Sequence, residues 1–481
     1  MPRFAFGFLT LCLFAACVFC ELSNESWAEE WAQIGGRQKS LAVQAKRKPD
    51  DAWKTYETRT VESLSGYVSG AKQIRYGKYG GWLEGKAKAT GFFHAEKQSD
   101  RWWLVDPDGC LFIHVGVCAV RPGKSETPRR ALKEKFRTPG QWAEQTTKLL
   151  WDNGFNGLGG WCDTEMLRKT SRPMPYTLSW NFMGEFGRSL KLTMQEPGHL
   201  GYPNGCIPVF HPEFEAFCDK YARSLAATKN DPYLVGHFSD NELPASRDLL
   251  DRFLSLDTMN ADLAPNRQAT QDWLAERRGK NVGIKDVNDA DRLAFVEYVC
   301  DRYFRITTVA IRKHDPNHLS LGPRLHGWSL QSQEIFRAAG KYLDVIGVNY
   351  YGAWGPDPTR LAMWSSESGK PVMITEFYAK GADSGLPNRT GAGWVVPTQK
   401  DRGLFYQNFV LGLLESKGCV GWHWFRYMDN DPEDMTTDPS NRDSNKGIVT
   451  IRYEPYPALL QEMKTLNSEV YGVIHYLDSR L

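Results

Sequence analysis

Cysteine clusters and an excess of one charge are both missing from this 481-residue sequence. The seven cysteines beyond residue 20 are widely spaced and include no C-x-x-C pair. An odd, dispersed set argues against a zinc site and against a dense disulfide framework. Lysine and arginine number 59 and aspartate and glutamate 57, for a formal net charge of +2. This balance argues against a dedicated nucleic-acid-binding protein, which should carry a basic excess.

Nucleotide-binding signatures and long apolar runs are also scarce. No G-x-G-x-x-G follows a predicted strand, and no P-loop is present. The apolar run that stands out covers residues 4–19, after Arg3. At roughly 16 residues it is short for a transmembrane helix and typical of a signal peptide. We therefore predict a signal peptide at 1–20, an exported protein and no transmembrane helix, with a lipid anchor on Cys17 as the alternative to simple cleavage.

Aromatic residues, in contrast, are abundant. The chain contains 17 Trp, 20 Tyr and 24 Phe, and many of these would fill an ordinary core. A tryptophan excess in a neutral, exported protein also suits stacking against sugar rings, because a pyranose presents an apolar C–H face to an aromatic plane. The composition is therefore compatible with a protein that acts on carbohydrate.

Short apolar segments alternate with helix-like segments over most of the chain. This alternation predicts an α/β fold, a (β/α)8 TIM barrel with a short N-terminal β-containing extension, and a doubly wound open sheet is the alternative. We expect an N-terminal extension with a hairpin at 21–100, the barrel at 101–470 and a C-terminal tail at 471–481. The predicted barrel strands are 111–120, 154–159, 176–182, 233–241, 318–325, 343–350, 371–377 and 419–425.

Two of these strands end in a single carboxylate. Strand four runs into Asn241 and Glu242, and strand seven reaches Glu376. Active-site residues of such barrels lie at the carboxyl ends of the strands, where a buried lone carboxylate is costly without a chemical or ionic purpose. For either glutamate alone, a structural ion pair is the alternative. Together they favour glycoside hydrolysis with retention, which needs two carboxyl groups ~5–5.5 Å apart.

Several runs of sequence are distinctive: FSDNEL at 238–243, NYY at 349–351, TGAGW at 390–394, TQKDRGLFYQ at 398–407 and GWHWFRY at 421–427. They resemble the β-agarases of glycoside hydrolase family 50, within clan A of the retaining enzymes, over about residues 102–453. The resemblance implies that Glu242 is the acid/base, that Glu376 is the nucleophile and that Asn241 hydrogen-bonds the sugar 2-hydroxyl. It also implies cleavage of β-1,4 bonds of agarose, a neutral galactan, without a metal or other cofactor.

Further residues at the strand ends are candidates for substrate binding. One of Tyr350 and Tyr351 should point inward and hydrogen-bond the nucleophile, with core packing as the alternative for either. Arg324 and His326 end strand five, and we expect one of them to contact substrate, with a structural histidine as the alternative.

Two tryptophans are predicted to stack on sugar. Trp424, near the end of strand eight, is the candidate for a hydrophobic floor under the reacting ring, with simple core packing as the alternative. Trp394 lies in a Gly-flanked loop, a poor place for a core tryptophan. Trp161, after strand two, is a less favoured subsite candidate.

Other functions stay open at this point. The same machinery could act on another β-linked glycan, as a β-galactosidase or on porphyran or another galactan, and a non-catalytic glycan-binding barrel is a further alternative. The presence of both carboxylates speaks against the last of these. The expected partner is a polysaccharide or oligosaccharide, and the sequence indicates neither an oligomeric state nor endo or exo action.

Overall fold

A computed structural model describes residues 40–71, 73–279 and 282–480 of the chain. The predicted signal peptide at 1–20, with Cys17, lies outside the described residues. Within the described ranges, no helix has both the length and the apolar character that a membrane crossing requires.

Two antiparallel units precede the barrel. The first is the hairpin of β1 (Leu41–Ala45) and β2 (Lys54–Thr58). The second is a four-stranded sheet of β3 (Trp82–Lys86), β4 (His94–Gln98), β5 (Arg101–Val105) and β6 (Cys110–Phe112). This sheet region covers the N-terminal end of the barrel, where Tyr79 packs on Tyr233 and Phe92 on His318. The opposite rim, at the carboxyl ends of the strands, is left for the site.

Eight parallel strands form the barrel, and their spatial order is Leu319–Gly322, Leu234–Phe238, Tyr176–Ser179, Gly157–Leu158, His114–Val117, Cys419–Trp424, Val372–Phe377 and Ile346–Asn349. The sheet closes through a bridge between Leu325 and Val348, beside which the Leu325 N–H donates to the Gly347 carbonyl at 2.8 Å. The predicted barrel is thus confirmed, and each predicted barrel strand overlaps an observed one. In chain order the strands after β6 are β7 (His114–Val117), β8 (Gly157–Leu158), β9 (Tyr176–Ser179), β10 (Met194–Gln195), β11 (Leu200–Gly201), β12 (Leu234–Phe238), β13 (Leu319–Gly322), β14 (Ile346–Asn349), β15 (Val372–Phe377), β16 (Ala379–Gly381), β17 (Trp394–Val396) and β18 (Cys419–Trp424).

The barrel strands read as near-continuous apolar runs because helices cover them on the outside and the barrel core fills the inside. Every residue of β12, β14, β15 and β18 is buried. The small sheets β10-β11 and β16-β17 lie on loops between barrel strands. A barrel built this way places the residues that follow each strand around one rim.

The helices between the strands begin at clear sequence signals. Thr398 accepts a hydrogen bond from the Asp401 N–H, and Asn288 accepts one from the Asp291 N–H, as N-cap residues do. In the described residues the α-helices are α1 (Glu126–Phe136), α2 (Pro139–Asp152), α3 (Thr164–Leu167), α4 (Phe182–Ser189), α5 (Phe214–Ala222), α6 (Leu249–Leu254), α7 (Ala264–Arg278), α8 (Asp289–His314), α9 (Gln333–Tyr342), α10 (Pro358–Ser368), α11 (Gln399–Glu415), α12 (Pro457–Asn467) and α13 (Val470–Asp478).

The segment expected to be a C-terminal tail, 471–481, is helical at residues 471–478. Helix α13 buries Tyr471, Val473 and Ile474. The Tyr471 hydroxyl donates to the Gly80 carbonyl at 3.1 Å, and Arg101 pairs with Asp478 at 2.7 Å. Its apolar side chains pack the helix against the N-terminal sheet instead of leaving it in solvent.

Candidate active site

Glu242 lies four residues beyond the end of β12, on a tightly held turn. Its N–H donates to the Pro323 carbonyl at 3.0 Å, and its φ of 52° is in the left-handed region, which is uncommon for a residue with a side chain. Strained backbone of this kind is often found at functional sites. The glutamate side chain is buried, and its Oε1 accepts a hydrogen bond from Asn349 Nδ2 at 2.7 Å.

Glu376 lies within β15 and is also buried. Its Oε1 is 3.1 Å from Arg324 Nη1. Its Oε2 accepts a hydrogen bond from the Tyr351 hydroxyl. The charged form of this carboxylate is therefore stabilised by one cation and one hydroxyl donor.

Asn349, at the end of β14, connects the two halves of the site. Its Nδ2 donates to Glu242 and, at 3.1 Å, to Asn241 Oδ1, while its own Oδ1 accepts from Thr375 Oγ1 at 2.6 Å. This residue was missing from the predicted site. The sequence feature that points to Asn349 is its place at a strand end, directly before Tyr350 and Tyr351.

Arg324 is a buried cation beneath the cleft, with 0 % of its surface exposed. Its Nη2 donates to Asn241 Oδ1 at 2.7 Å, and its guanidinium lies 3.6 Å from the ring centre of Trp161. Because Asn241 Oδ1 accepts from both Arg324 and Asn349, the Asn241 amide orientation is set, and its Nδ2 lies 3.5 Å from the Gly198 carbonyl. Arg324 thus orients other residues of the site and is too buried to touch substrate directly.

The two carboxyl groups differ in their electrostatic surroundings. Burial raises the pKa of Glu242, and the hydrogen bond from Asn349 opposes that rise. Burial also raises the pKa of Glu376, but Arg324 opposes it and the nearby Glu242 adds to it. Since Glu376 alone has a guanidinium in direct contact, we assign the negative charge of the pair to Glu376 and the shared proton to Glu242.

A cleft of about 420 Å³ opens at this rim, and both Glu242 and Glu376 line it. Of the predicted binding residues, Asn241, His326 and Tyr351 line it as well, together with Trp161. His326 Nδ1 is 3.9 Å from Glu242 Oε2, and burial lowers the pKa of this histidine. The arrangement can hold a sugar between a protonated and an ionised carboxyl group.

Besides Arg324, three predicted substrate contacts are corrected by the structure. Tyr350 points away from the cleft, is 1 % exposed, and packs against Trp364 and Phe409 on the helical side of its strand. Its neighbour Tyr351 is the inward tyrosine. Consecutive side chains on a strand face opposite sides, so only one of the two could reach the carboxylates.

Trp424 is the second correction, since its ring is completely buried. Its Nε1 donates to the Lys446 carbonyl at 2.9 Å, and its ring packs edge-on against Phe377 and Tyr406 in the layer between β15 and α11. The next residue, Phe425, is the one that lines the cleft.

Trp394 is the third correction. It belongs to β17, is 7 % exposed, and donates from Nε1 to the Ala353 carbonyl at 2.9 Å. Its ring packs against Tyr56 of the N-terminal hairpin and against Trp354. The Gly-flanked loop before it lines the cleft through Gly391 and Ala392 instead.

Two loops that the sequence did not single out form a wall of the cleft beside Glu242. Asp438 accepts from the Gly198 N–H at 3.0 Å and from Gln195 Nε2 at 2.7 Å, which joins the loop of β10-β11 to the loop after β18. Lys446 lies behind this junction and donates to the Ser440 carbonyl at 2.8 Å. Burial lowers the pKa of Lys446. Loop residues of this kind carry no periodic signal in a sequence.

The group with metal-ligating side chains in the described residues is His237, Asp315 and His318, away from the cleft. Each imidazole nitrogen already has a protein partner. His237 faces Trp180 Nε1 and Asp315 at 3.0 and 2.8 Å, and His318 faces Asp315 and the Asp231 carbonyl at 2.8 and 2.9 Å. This set is therefore a hydrogen-bonded network that holds β12 against β13.

The fold matches that of a known structure. The crystal structure of BpGH50 is 31% identical in sequence and superposes with a TM-score of 0.80, over 92% of this chain and 96% of that chain. The chain belongs to glycoside hydrolase family 50. A scan against protein-family models finds no match.

Other members with sequence similarity are longer. Beta-agarase B of Vibrio sp. (strain JT0107) is 26% identical over 82% of this chain, and Beta-agarase A of the same organism is 28% identical over 69%. This family 50 chain spans 50% and 36% of their respective lengths. The structure of an exo-beta-agarase shares the fold, with a TM-score of 0.68 and 23% identity over 83% of this chain and 68% of that one.

Proposed function

We propose that this family 50 protein is an exported, retaining glycoside hydrolase that cleaves the β-1,4 bonds of agarose by double displacement. The observation that carries the proposal is the pairing of two buried carboxyl groups, Glu242 and Glu376, in one cleft, with a guanidinium on Glu376 alone. The agarose assignment is supported by the names of the Vibrio relatives. The proposal of export rests on the signal-peptide pattern at 1–20. Lipid attachment at Cys17 is the alternative to simple cleavage of that peptide.

In the first step, Glu376 attacks the anomeric carbon while Glu242 gives its proton to the oxygen of the leaving sugar. The bond from the anomeric carbon to that oxygen breaks, and a covalent bond to Glu376 forms. Tyr351 and Arg324 hold the Glu376 carboxylate in its attacking orientation. The Asn241 carbonyl accepts from Arg324 and Asn349, and one N–H of its amide faces the Gly198 carbonyl, which leaves the other N–H to donate to the sugar 2-hydroxyl.

In the second step, Glu242 acts as a base. Neutralisation of Glu376 in the covalent intermediate removes a negative charge from beside Glu242, which lowers the pKa of Glu242 relative to the free enzyme. Glu242 therefore takes a proton from water, the water oxygen attacks the anomeric carbon, and Glu376 leaves as a carboxylate. Two inversions at the same carbon give net retention.

The substrate test is hydrolysis of a panel of agarose, porphyran, unsubstituted galactan and xylan, with products sized by chromatography. We expect oligosaccharides from agarose, and NMR of the first products should show the β-anomer. The Glu376→Ala protein is the blank for contaminating activity. Cleavage of another glycan without any cleavage of agarose would contradict the proposed substrate. A first product with the α configuration would contradict the retaining mechanism.

The buried guanidinium of Arg324 should affect how the activity depends on pH. Arg324 lowers the pKa of Glu376, and Glu376 must be ionised to attack, so Arg324 extends activity toward low pH. In Arg324→Gln the pKa of Glu376 rises, and the acidic limb of the kcat/KM profile should move to higher pH. Arg324→Lys keeps the charge and should move it less.

The control for this prediction is Arg223→Gln, which removes an exposed arginine and should leave the limb in place. A purely structural role for Arg324 would lower kcat/KM at every pH without moving the limb. An unmoved limb in Arg324→Gln would therefore contradict the proposed charge assignment.

A further inference from the structure

A second groove, of about 1160 Å³, lies beside the catalytic cleft on the same rim of the barrel. It is formed by the loops after β7 and β8 and by one face of α1. Arg121 and Trp161 line both the cleft and this groove. A polysaccharide chain that leaves the cleft past these two side chains therefore enters the groove.

The groove is strongly basic. Five cations line it against the two acids Glu126 and Asp163, an excess of three positive charges where the whole chain has a net charge of +2. Asp163 already accepts a hydrogen bond from the Met166 N–H at 3.3 Å. Like charges gathered along one concave surface create a field that attracts anions. The five cations are Arg121, Lys124, Arg129, Arg130 and Lys133.

These cations are free to bind a ligand. Across the described residues, only Arg130 of the five forms an ion pair, with Glu134 at 4.0 Å, and the other four have exposed side chains. Between them lie Leu132, Pro139 and Met166, which give the groove an apolar floor. Guanidinium groups suit planar and tetrahedral oxyanions, and an apolar floor suits the C–H face of a sugar.

We propose that this basic groove binds anionic substituents, sulfate esters or carboxylates, on the part of the galactan chain that extends beyond the catalytic cleft. The inference rests on the proposed function, because it takes the occupant to be the same chain that is cleaved. The cleft itself accepts neutral sugar units, and the groove selects chains whose neighbouring units carry negative charge. Substituted galactan is then a better substrate than the neutral polymer.

The experiment compares three agarose-derived oligosaccharides of equal length, one neutral, one carrying sulfate esters and one carrying carboxylates. The variant is Arg129→Gln/Lys133→Gln on α1, outside the cleft lining. Its matched control is Lys88→Gln/Lys97→Gln, which removes two exposed charges at the opposite end of the barrel. The wild type should have a higher kcat/KM on an anionic oligosaccharide than on the neutral one. The anionic-to-neutral ratio should fall about tenfold in the groove variant and stay unchanged in the control.

Salt provides an independent readout, because exposed charge interactions are screened as ionic strength rises. The wild-type preference should shrink in high salt, and the groove variant should respond little. Preference for sulfate or for carboxylate identifies which group the groove takes. Equal kcat/KM on all three oligosaccharides would overturn the proposed anion binding by the groove and leave the proposed function in place.

Failure of the proposed function has a different signature, namely no cleavage of any of the three. Calorimetric measurement of the binding of the same oligosaccharides to the wild-type protein then tests whether the groove binds anionic groups. Tighter binding of an anionic one, lost in the groove variant alone, supports the inference, and equal affinities overturn it.

Discussion

The Glu376→Ala variant should lose on the order of 10⁴-fold in kcat on agarose, because the covalent intermediate of the proposed mechanism forms on the Glu376 carboxylate. Sodium azide should restore turnover in this variant. The small anion fits the space left by the carboxylate, attacks the anomeric carbon as Glu242 protonates the leaving oxygen, and gives a glycosyl azide of inverted configuration. NMR of the azide product and initial rates with and without azide measure both effects.

The matched control is Glu57→Ala, an exposed glutamate on β2, which should keep wild-type activity with no response to azide. Loss of activity through misfolding would also abolish the azide response, so restored turnover separates the two causes. Full activity of Glu376→Ala on agarose would contradict the double-displacement mechanism.

The second large effect is expected in Glu242→Gln. Replacement of the proton donor should lower kcat on agarose by about 10²- to 10⁴-fold, since a sugar alkoxide is a poor leaving group without protonation. An aryl glycoside with an acidic phenol needs little protonation, and formation of its glycosyl-enzyme should be nearly unaffected. A burst of phenol followed by slow turnover is therefore expected, because the glutamine cannot activate water in the second step.

Pre-steady-state measurement of phenol release, with the trapped intermediate detected by mass spectrometry, checks this prediction. The Glu57→Gln protein is the control and should behave as wild type on both substrates. A loss of the same size on agarose and on the aryl glycoside would assign Glu242 a role other than proton donor.

The barrel was predictable because its signal is local. A parallel strand buried on both faces must be apolar along its whole length, and Val372–Phe377 and Cys419–Trp424 are plain examples. The alternation of such runs with helix-like segments then leaves few architectures. The burial of residues 471–478, in contrast, depends on the N-terminal sheet, almost 400 residues away in the chain, and a local pattern does not show it.

Side-chain direction at the strand ends was harder to predict. Strand geometry sends alternate residues to opposite faces, so a displacement of one residue exchanges core for cleft. The prediction names Trp424, one residue before Phe425, which lines the cleft, and for Tyr350 and Tyr351 it leaves open which of the two points inward. Register shifts occur in both regions, between Ile374 and Phe377 and between Val348 and Asn349, and these irregularities leave no trace in a pattern of apolar residues.

The sequence by itself determined the barrel and the order of its strands along the chain, because these follow from short-range patterns of apolar residues, and it predicted two glutamates at one rim. Only the tertiary structure decided which neighbours surround each carboxyl group. Arg324, Asn349 and Tyr351 come from separate strand ends and meet at the carboxylates through barrel closure. Coulombic and hydrogen-bond interactions act over a few ångströms in space. The charge on Glu376 therefore depends on residues that are close to it in the fold, and their positions in the sequence do not show that they are close.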